Sequence, residues 1–251
     1  MPLSFDEVTS AAEIFWRRLG DLKAERHDIP WYPYGSMANI TNISHFPGIG
    51  REVFSDIGDK KILDIGAADG DIGLFAETLG ARVTFVDNPQ TNYNDCRGLL
   101  ELRSALQSRT GFKFVDLDYN VAPLAYDADL AIFLGILYHL RNPLLVLDTL
   151  AHSAEYLLLS TVIFLQSDDG LPMADQSFAY LLGSREGNND PTNYWMLTPA
   201  SLRLALKRSG WIVLDEVVLG DGVSPHHGDA RMFCYCRRNP AWRDLRVHHD
   251  F

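Results

Sequence analysis

Lys61-Ile62-Leu63-Asp64-Ile65-Gly66-Ala67-Ala68-Asp69-Gly70-Asp71 runs a short apolar strand straight into a turn of small residues. Ile72, Leu74 and Phe75 follow at helical spacing, so the stretch reads as strand, tight turn, helix. Small residues at such a turn let the backbone approach a ligand closely. Outward from it, strand-like runs at Arg82 to Asp87, Phe112 to Asp116 and Asp129 to Leu134 alternate with a helical run over about 94 to 107. That alternation indicates βαβ units and a parallel sheet.

The alternation continues with a helix over about 143 to 151, a strand from Tyr156 to Ile163, a helix from Pro199 to Ser209, and strands Trp211 to Val218 and Arg231 to Arg237. No helix separates the last two strands, so they pair antiparallel. The expected fold is α/β: a Rossmann-like, seven-stranded, mostly parallel sheet with a reversed last strand and helices on both faces. Phe5, Val8, Ala12, Phe15, Trp16 and Leu19 mark an amphipathic N-terminal helix over residues 5 to 24, and an aromatic loop, Pro30 to Gly35, follows it. Residues 1 to 50 are read as this extension, 51 to 240 as the main domain, and 241 to 251 as a tail. Residues 165 to 196, rich in Asp, Gly, Asn and Pro, form a lid-like insertion after the fifth strand.

The 251 residues are 47% hydrophobic and 22% charged, an ordinary globular composition. Net charge is −11, a field that opposes a large nucleic-acid footprint. The basic groups at Arg17 and Arg18, at Arg203, Lys207 and Arg208, and at Arg237, Arg238, Arg243 and Arg246 are read as solvated faces and a tail. No apolar run spans a membrane, and residues 1 to 7 lack a signal-peptide order, so a cytoplasmic location and no membrane partner are expected. Cys96, Cys234 and Cys236 are an odd count without CxxC spacing, so reduced thiols and no metal site are expected.

A dinucleotide turn favours three glycines and tolerates pyrophosphate, whereas this one carries acidic Asp69 and Asp71 beside Gly66, Ala68 and Gly70. Carboxylates repel pyrophosphate and suit a cationic, phosphate-free nucleoside such as S-adenosylmethionine. Asp87, at the end of the second strand, lies 23 residues after Asp64, near the spacing of roughly 20 at which an acid meets ribose hydroxyls. Asp64, Gly66, Ala67, Ala68, Gly70, Asp87 and Asn88 are therefore the candidate donor-binding residues, with Leu117, Asp118, Leu134 and Gly135 from the next two strand ends. Asp118 is assigned to the adenine amino group; the competing reading is an Asx-turn. Helix capping by Asp69 or Asp71 in an unrelated α/β fold is the alternative for the whole set.

Gly135-Ile136-Leu137-Tyr138-His139 follows the fourth strand, at the carboxyl edge where open α/β sheets bind ligands. His139 is the candidate general base for a hydroxyl acceptor, since imidazole titrates near neutral pH; a turn-capping or core histidine is the rival reading. His226 and His227, near Asp229, offer a second acid or base or an exposed loop pair. Trp31, Tyr32, Tyr34, Tyr194 and Trp195 make either an apolar roof over an acceptor or ordinary loop packing. Arg185 and Arg231 are candidates for an acidic group on the acceptor.

Leu63-Asp64-Ile65-Gly66, Gly135-Ile136-Leu137-Tyr138-His139 with Pro143-Leu144, Asn193-Tyr194-Trp195-Met196 and Arg231 together resemble class I S-adenosylmethionine methyltransferases. Within them the chain is similar, from about Trp31 to Arg238, to the tRNA wobble-uridine (5-carboxymethoxyuridine) transferase family. The resemblance implies that Tyr138 and Arg231 hold the carboxylate of carboxy-S-adenosylmethionine, together with a lysine. Trp31 to Met37, which should supply that lysine, contains none. Plain S-adenosylmethionine and a small-molecule hydroxyl acceptor are therefore expected, with tRNA modification as the alternative and a catalytically silent binding module as a further one. A nicotinamide-dependent enzyme is disfavoured by Asp69, Asp71 and the reversed strand pair.

Overall fold

A computed structural model of the chain describes residues 2–187, 189–222 and 229–242. Its elements follow the alternation read from the sequence. Strands β1 (Lys61–Ile65), β2 (Arg82–Asp87), β3 (Gly111–Phe114), β4 (Ala128–Leu134) and β5 (Ala154–Val162) come first. Then β6 (Ala179–Leu181), β7 (Trp195–Leu197), β8 (Trp211–Leu219) and β9 (Arg231–Arg238) follow. The main sheet has seven strands in the order β3-β2-β1-β4-β5-β9-β8. β2 is parallel to β1 and β3, and β1 is parallel to β4. β9 is the reversed strand, antiparallel to both β5 and β8, between which it lies.

Contacts divide the chain into two units, one comprising residues up to Asp116 with Ala128–Ile132, the other Leu117–Asp127 with the described residues from Phe133 onward. In the first unit, β1 buries Ile62, Leu63 and Ile65 almost completely, as a strand covered on both faces requires. Helix α1 (Phe5–Ala24) starts with a capping box of Ser4 and Glu7, and it buries Val8, Ala12, Phe15 and Leu19 along one stripe. Phe15 reaches Phe75 of α3 (Asp71–Thr78) with ring centroids 5.8 Å apart, so the N-terminal helix is packed on the helix that follows the glycine turn. Trp16, expected on the apolar face, is instead 45% exposed, because its position falls off that stripe. The stretch between Asp28 and Gly50 is not all loop: α2 (Ala38–Ile43) forms within it and buries Ile40 and Ile43.

In the second unit, α5 (Pro143–Ser153) and α6 (Pro199–Arg208) both begin with proline in the first turn. Thr198 caps α6 by accepting from the Ser201 amide. The insertion after β5 is ordered by structure of its own. β6 and β7 pair antiparallel, and Val162, Phe164, Leu182 and Met196 form a small apolar core with Tyr138, Met173 and Tyr180 against it. All three cysteines are free and buried. No helix among the described residues is long and apolar enough to cross a membrane.

Candidate functional site

The first unit gathers the glycine turn, the tip of β2 and the end of α1. Gly66, Ala68 and Gly70 all adopt left-handed backbone, with φ of 67°, 55° and 84°. For Ala68 that conformation costs about 1–2 kcal/mol, so the surroundings must hold it. Asp87 does part of this, accepting the Ala68 N–H at 3.1 Å and the Asn92 amide at 3.2 Å on one oxygen and the Asn88 N–H at 2.7 Å on the other. The Ala67 amide also faces the carboxylate, which is thus held against the turn. Burial raises its pKa to about 6, against the pull of the Asn88 and Ala68 amides.

Asp64 is only 4% exposed, and its Oδ2 has no hydrogen-bond partner. Burial pushes its pKa to about 7, with the Gly73 amide opposing and the negative charges of Asp87 and Asp71 adding to the shift. Gly73 is required beside it: a Cβ there would lie 2.3 Å from the Phe85 ring and 2.7 Å from Asp64 Oδ2. A buried carboxyl with one oxygen unpartnered is costly, and such groups concentrate where a ligand or proton is to be taken up.

Asp69 and Asp71 are not free to meet a cationic ligand, and here the structure corrects the sequence reading. Lys23 Nζ sits 3.0 Å from Asp69 Oδ2 and 3.0 Å from Asp71 Oδ1, with both acids nearly inaccessible. Burial pulls the Lys23 pKa down, but Asp71 and Asp69 outweigh it, and the net shift is upward, so the ammonium stays charged. Trp31 is likewise committed to structure, donating its indole N–H to the Lys23 and Arg26 carbonyls at the end of α1. Tyr34 is 63% exposed and stands edge-on to Tyr32, which also packs against Tyr93.

The second unit gathers the end of β4, the turn after it, the start of β9 and the insertion. Leu117 is buried and Leu134 half-buried. Asp118 Oδ1 accepts the backbone N–H groups of Arg141 at 2.7 Å and Asn142 at 3.3 Å, so it braces the entry to α5. Gly135 is left-handed, φ 77°, and a Cβ there would lie 3.6 Å from Arg231 and 3.8 Å from the Tyr138 hydroxyl. Arg231 lies with its guanidinium 5.7 Å from the centre of the Tyr138 ring and 3.5 Å from that hydroxyl, and among the described residues it forms no ion pair. Tyr138 and His139 have ring centroids 4.2 Å apart. The Tyr194 N–H donates to the Tyr138 carbonyl at 2.8 Å, and its hydroxyl accepts from Arg141, while Trp195 Nε1 is buried without a partner. Arg185 is exposed. His226 and His227 lie outside the described residues.

His139 Nδ1 faces the Thr192 carbonyl at 3.2 Å and the Thr192 hydroxyl at 3.0 Å. That hydroxyl donates to Asp190 at 2.6 Å. Both Thr192 oxygens are thus acceptors toward the ring, which places the proton on Nδ1 and the basic lone pair on Nε2. Burial lowers the His139 pKa, the Thr192 carbonyl and Asp190 opposing and Arg231 adding, so the ring is neutral near pH 7. The sequence reading missed Lys23, Asn92, Thr192 and Asp190. Each lies in an unremarkable polar segment, and only distant contacts give it a role.

No protein-family model matches the chain, and no curated protein matches it in sequence. Solved structures do. The N-terminal domain of EvdMO1 with SAH bound is 20% identical, over 90% of this chain and 96% of that domain, at a TM-score of 0.55. The chain covers 49% of the complete EvdMO1 chain. An O-methyltransferase family protein from Burkholderia thailandensis is 14% identical over 82% of this chain and 57% of that one, TM-score 0.54. The cyclase SpnF is 12% identical over 80% of each chain, TM-score 0.58. The fold is the Rossmann-like fold of class I S-adenosylmethionine methyltransferases, and at these identities the likeness is one of fold. That a cyclase shares it means that the reaction must be argued from the site.

Proposed function

We propose that the chain is an S-adenosylmethionine-dependent methyltransferase acting on a hydroxyl of a small-molecule acceptor. The observation that carries this reading is the orphaned, buried Oδ2 of Asp64 beside Asp87, on adjacent strands that flank the left-handed turn. These two acids fit a positively charged nucleoside: Asp64 as the buried negative charge behind the turn, Asp87 as acceptor for ribose hydroxyls. Gly66, Ala67, Ala68 and Gly70 let its backbone approach the ligand, and Asn88 flanks Asp87. Leu117, Asp118, Leu134 and Gly135 are further donor-binding candidates on the sequence reading alone. The EvdMO1 domain, seen with SAH, supports this choice of ligand.

When bound, the donor supplies a methyl group on a sulfonium, open to in-line displacement by an oxygen nucleophile. His139 accepts the acceptor's hydroxyl proton on Nε2, with Nδ1 held by Thr192. Tyr138 packs at a tilt against the imidazole, ring centres 4.2 Å apart, and is assigned to orient the acceptor, and Trp31, Tyr34, Tyr194, Trp195 and Arg185 are assigned to acceptor binding on the sequence reading. Calorimetric titration with S-adenosylmethionine, SAH, carboxy-S-adenosylmethionine and NAD tests the donor reading. Heat from the first two supports it; no heat from the first three ends it. SAH release across sugars, phenols and undermodified tRNA then identifies the acceptor.

A second reading rests on Arg231. A half-buried guanidinium beside Tyr138 with no carboxylate partner among the described residues suits an anionic group, such as the extra carboxylate of carboxy-S-adenosylmethionine in tRNA wobble-uridine modification. Binding of only the carboxylated donor, with that selectivity lost in Arg231→Ala, would establish it.

A further inference from the structure

Asp69 is a junction of four chain segments. Its Oδ2 accepts from Lys23 at 3.0 Å and from the Tyr32 backbone N–H at 3.2 Å, and its Oδ1 accepts from Asn94 at 2.8 Å. Asn94 also donates to the Pro30 carbonyl at 3.2 Å. The end of α1, the aromatic loop, the glycine turn and the start of α4 (Arg97–Ala105) therefore meet on one carboxylate that is 1% exposed. Lys23 joins it to Asp71, the first residue of α3, which it contacts at 3.0 and 3.3 Å. Its ammonium is also 5.4 Å from the centre of the Trp31 ring.

Two buried acids sharing one cation leave the trio with a net negative charge, and burial keeps the Asp71 pKa raised despite Lys23. The same turn contains left-handed Ala68, a conformation that persists only where neighbours over-determine it. Asp87 and Asn92 hold Ala68 from the β2 side. Lys23 holds the next residue from the α1 side, and it is the group whose removal would set two buried carboxylates against each other.

We propose that Lys23 is a positioning residue: by bridging Asp69 and Asp71 it locks the Gly66–Gly70 turn, through α1, in the conformation that receives the nucleoside. The inference rests on the reading of that turn as the donor site. The N-terminal helix is then a working part of the site, and Asp69 and Asp71 are engaged by Lys23, leaving Asp64 and Asp87 to meet the ligand. If Lys23 instead merely competed with a cationic ligand for the two acids, its removal would strengthen binding.

The test uses the full chain as wild type, Lys23→Arg, Lys23→Met and the charge-balanced double variant Lys23→Met with Asp71→Asn. Two readouts are taken: amide hydrogen exchange of residues 66 to 70 in the protein alone, and calorimetric affinity for SAH. Lys23→Met is expected to speed exchange in the turn while β1 and β2 stay protected, and to weaken SAH about tenfold, or about 1.4 kcal/mol. Lys23→Arg restores most of the affinity, and the double variant stays weak although its charge is balanced. SAH binding as tight as wild type, or tighter, in Lys23→Met or the double variant overturns the proposal, as does unchanged exchange in the turn. Should Lys23→Met not fold, the double variant decides. If the wild type binds no SAH, the donor reading fails and the exchange readout alone decides whether Lys23 locks the turn.

Discussion

His139 and Thr192 are 53 residues apart in sequence, yet both oxygens of Thr192 face one ring nitrogen of His139, at 3.2 and 3.0 Å. With the threonine hydroxyl committed to Asp190, the imidazole is fixed as the tautomer whose outer nitrogen is basic. His139→Gln should therefore lower kcat by about 10²–10⁴ while leaving SAH affinity unchanged. Thr192→Val should give a smaller loss in kcat and a mixed-tautomer nitrogen NMR signal for His139. Unchanged turnover in His139→Gln would remove it from the chemistry.

Burial lowers the pKa of His139, so its basic form persists to more acidic pH than in an ordinary histidine. The acid limb of the kcat profile should accordingly fall below the usual histidine range, with a plateau through neutrality. A limb above that range would mean that another group titrates.

Asp64 and Asp87 carry raised pKa values, about 7 and about 6 against an ordinary 3.8, because burial disfavours their charge. Between about pH 4 and pH 7 the folded protein holds protons that the unfolded chain has released, so stability falls as pH rises through that window and levels off above it. Urea midpoints across pH 4 to 8 measure this, and Asp64→Asn should flatten the fall. Ligand binding should be tied to the same protons: affinity for S-adenosylmethionine rises with pH between 6 and 7, and titrations at pH 6 in buffers of different ionisation enthalpy show proton release.

Asp87→Ala removes the acceptor assigned to the ribose and the bond that holds Ala68. Donor affinity should drop at least about tenfold, near 1.4 kcal/mol, in calorimetry. Equal affinity in wild type and variant would contradict the assignment of the site.

Gly73→Ala would force a methyl group against the Phe85 ring and Asp64 Oδ2. Overpacking of this kind costs about 1–3 kcal/mol, read as a lower urea midpoint with an unchanged slope. Because the strain falls on Asp64, donor affinity should fall as well.

The strand-turn-helix after Lys61 was legible because its signals are local. A strand covered on both faces must be apolar, and a turn that leaves the allowed region for side chains must use small residues. Asp64 and Asp87 stood out for the same reason, since each is an acid where local pattern demands an apolar or turn residue. Asp69 and Asp71 show the limit: the sequence displays two acids at a turn, but not that a lysine 46 and 48 residues earlier bridges them.

The chain's own pattern of apolar periodicity and small-residue turns set the order of its elements, the parallel sheet and the two acids, since these depend on neighbours within a few positions. The placement of β9 between β5 and β8, the pairing of Tyr138 with Arg231, the fixing of His139 by Thr192 and the capture of two acids by Lys23 were decided only in three dimensions. Each of these joins residues tens of positions apart, and such contacts form only when burial of the whole core offsets the entropy of closing the loops between them.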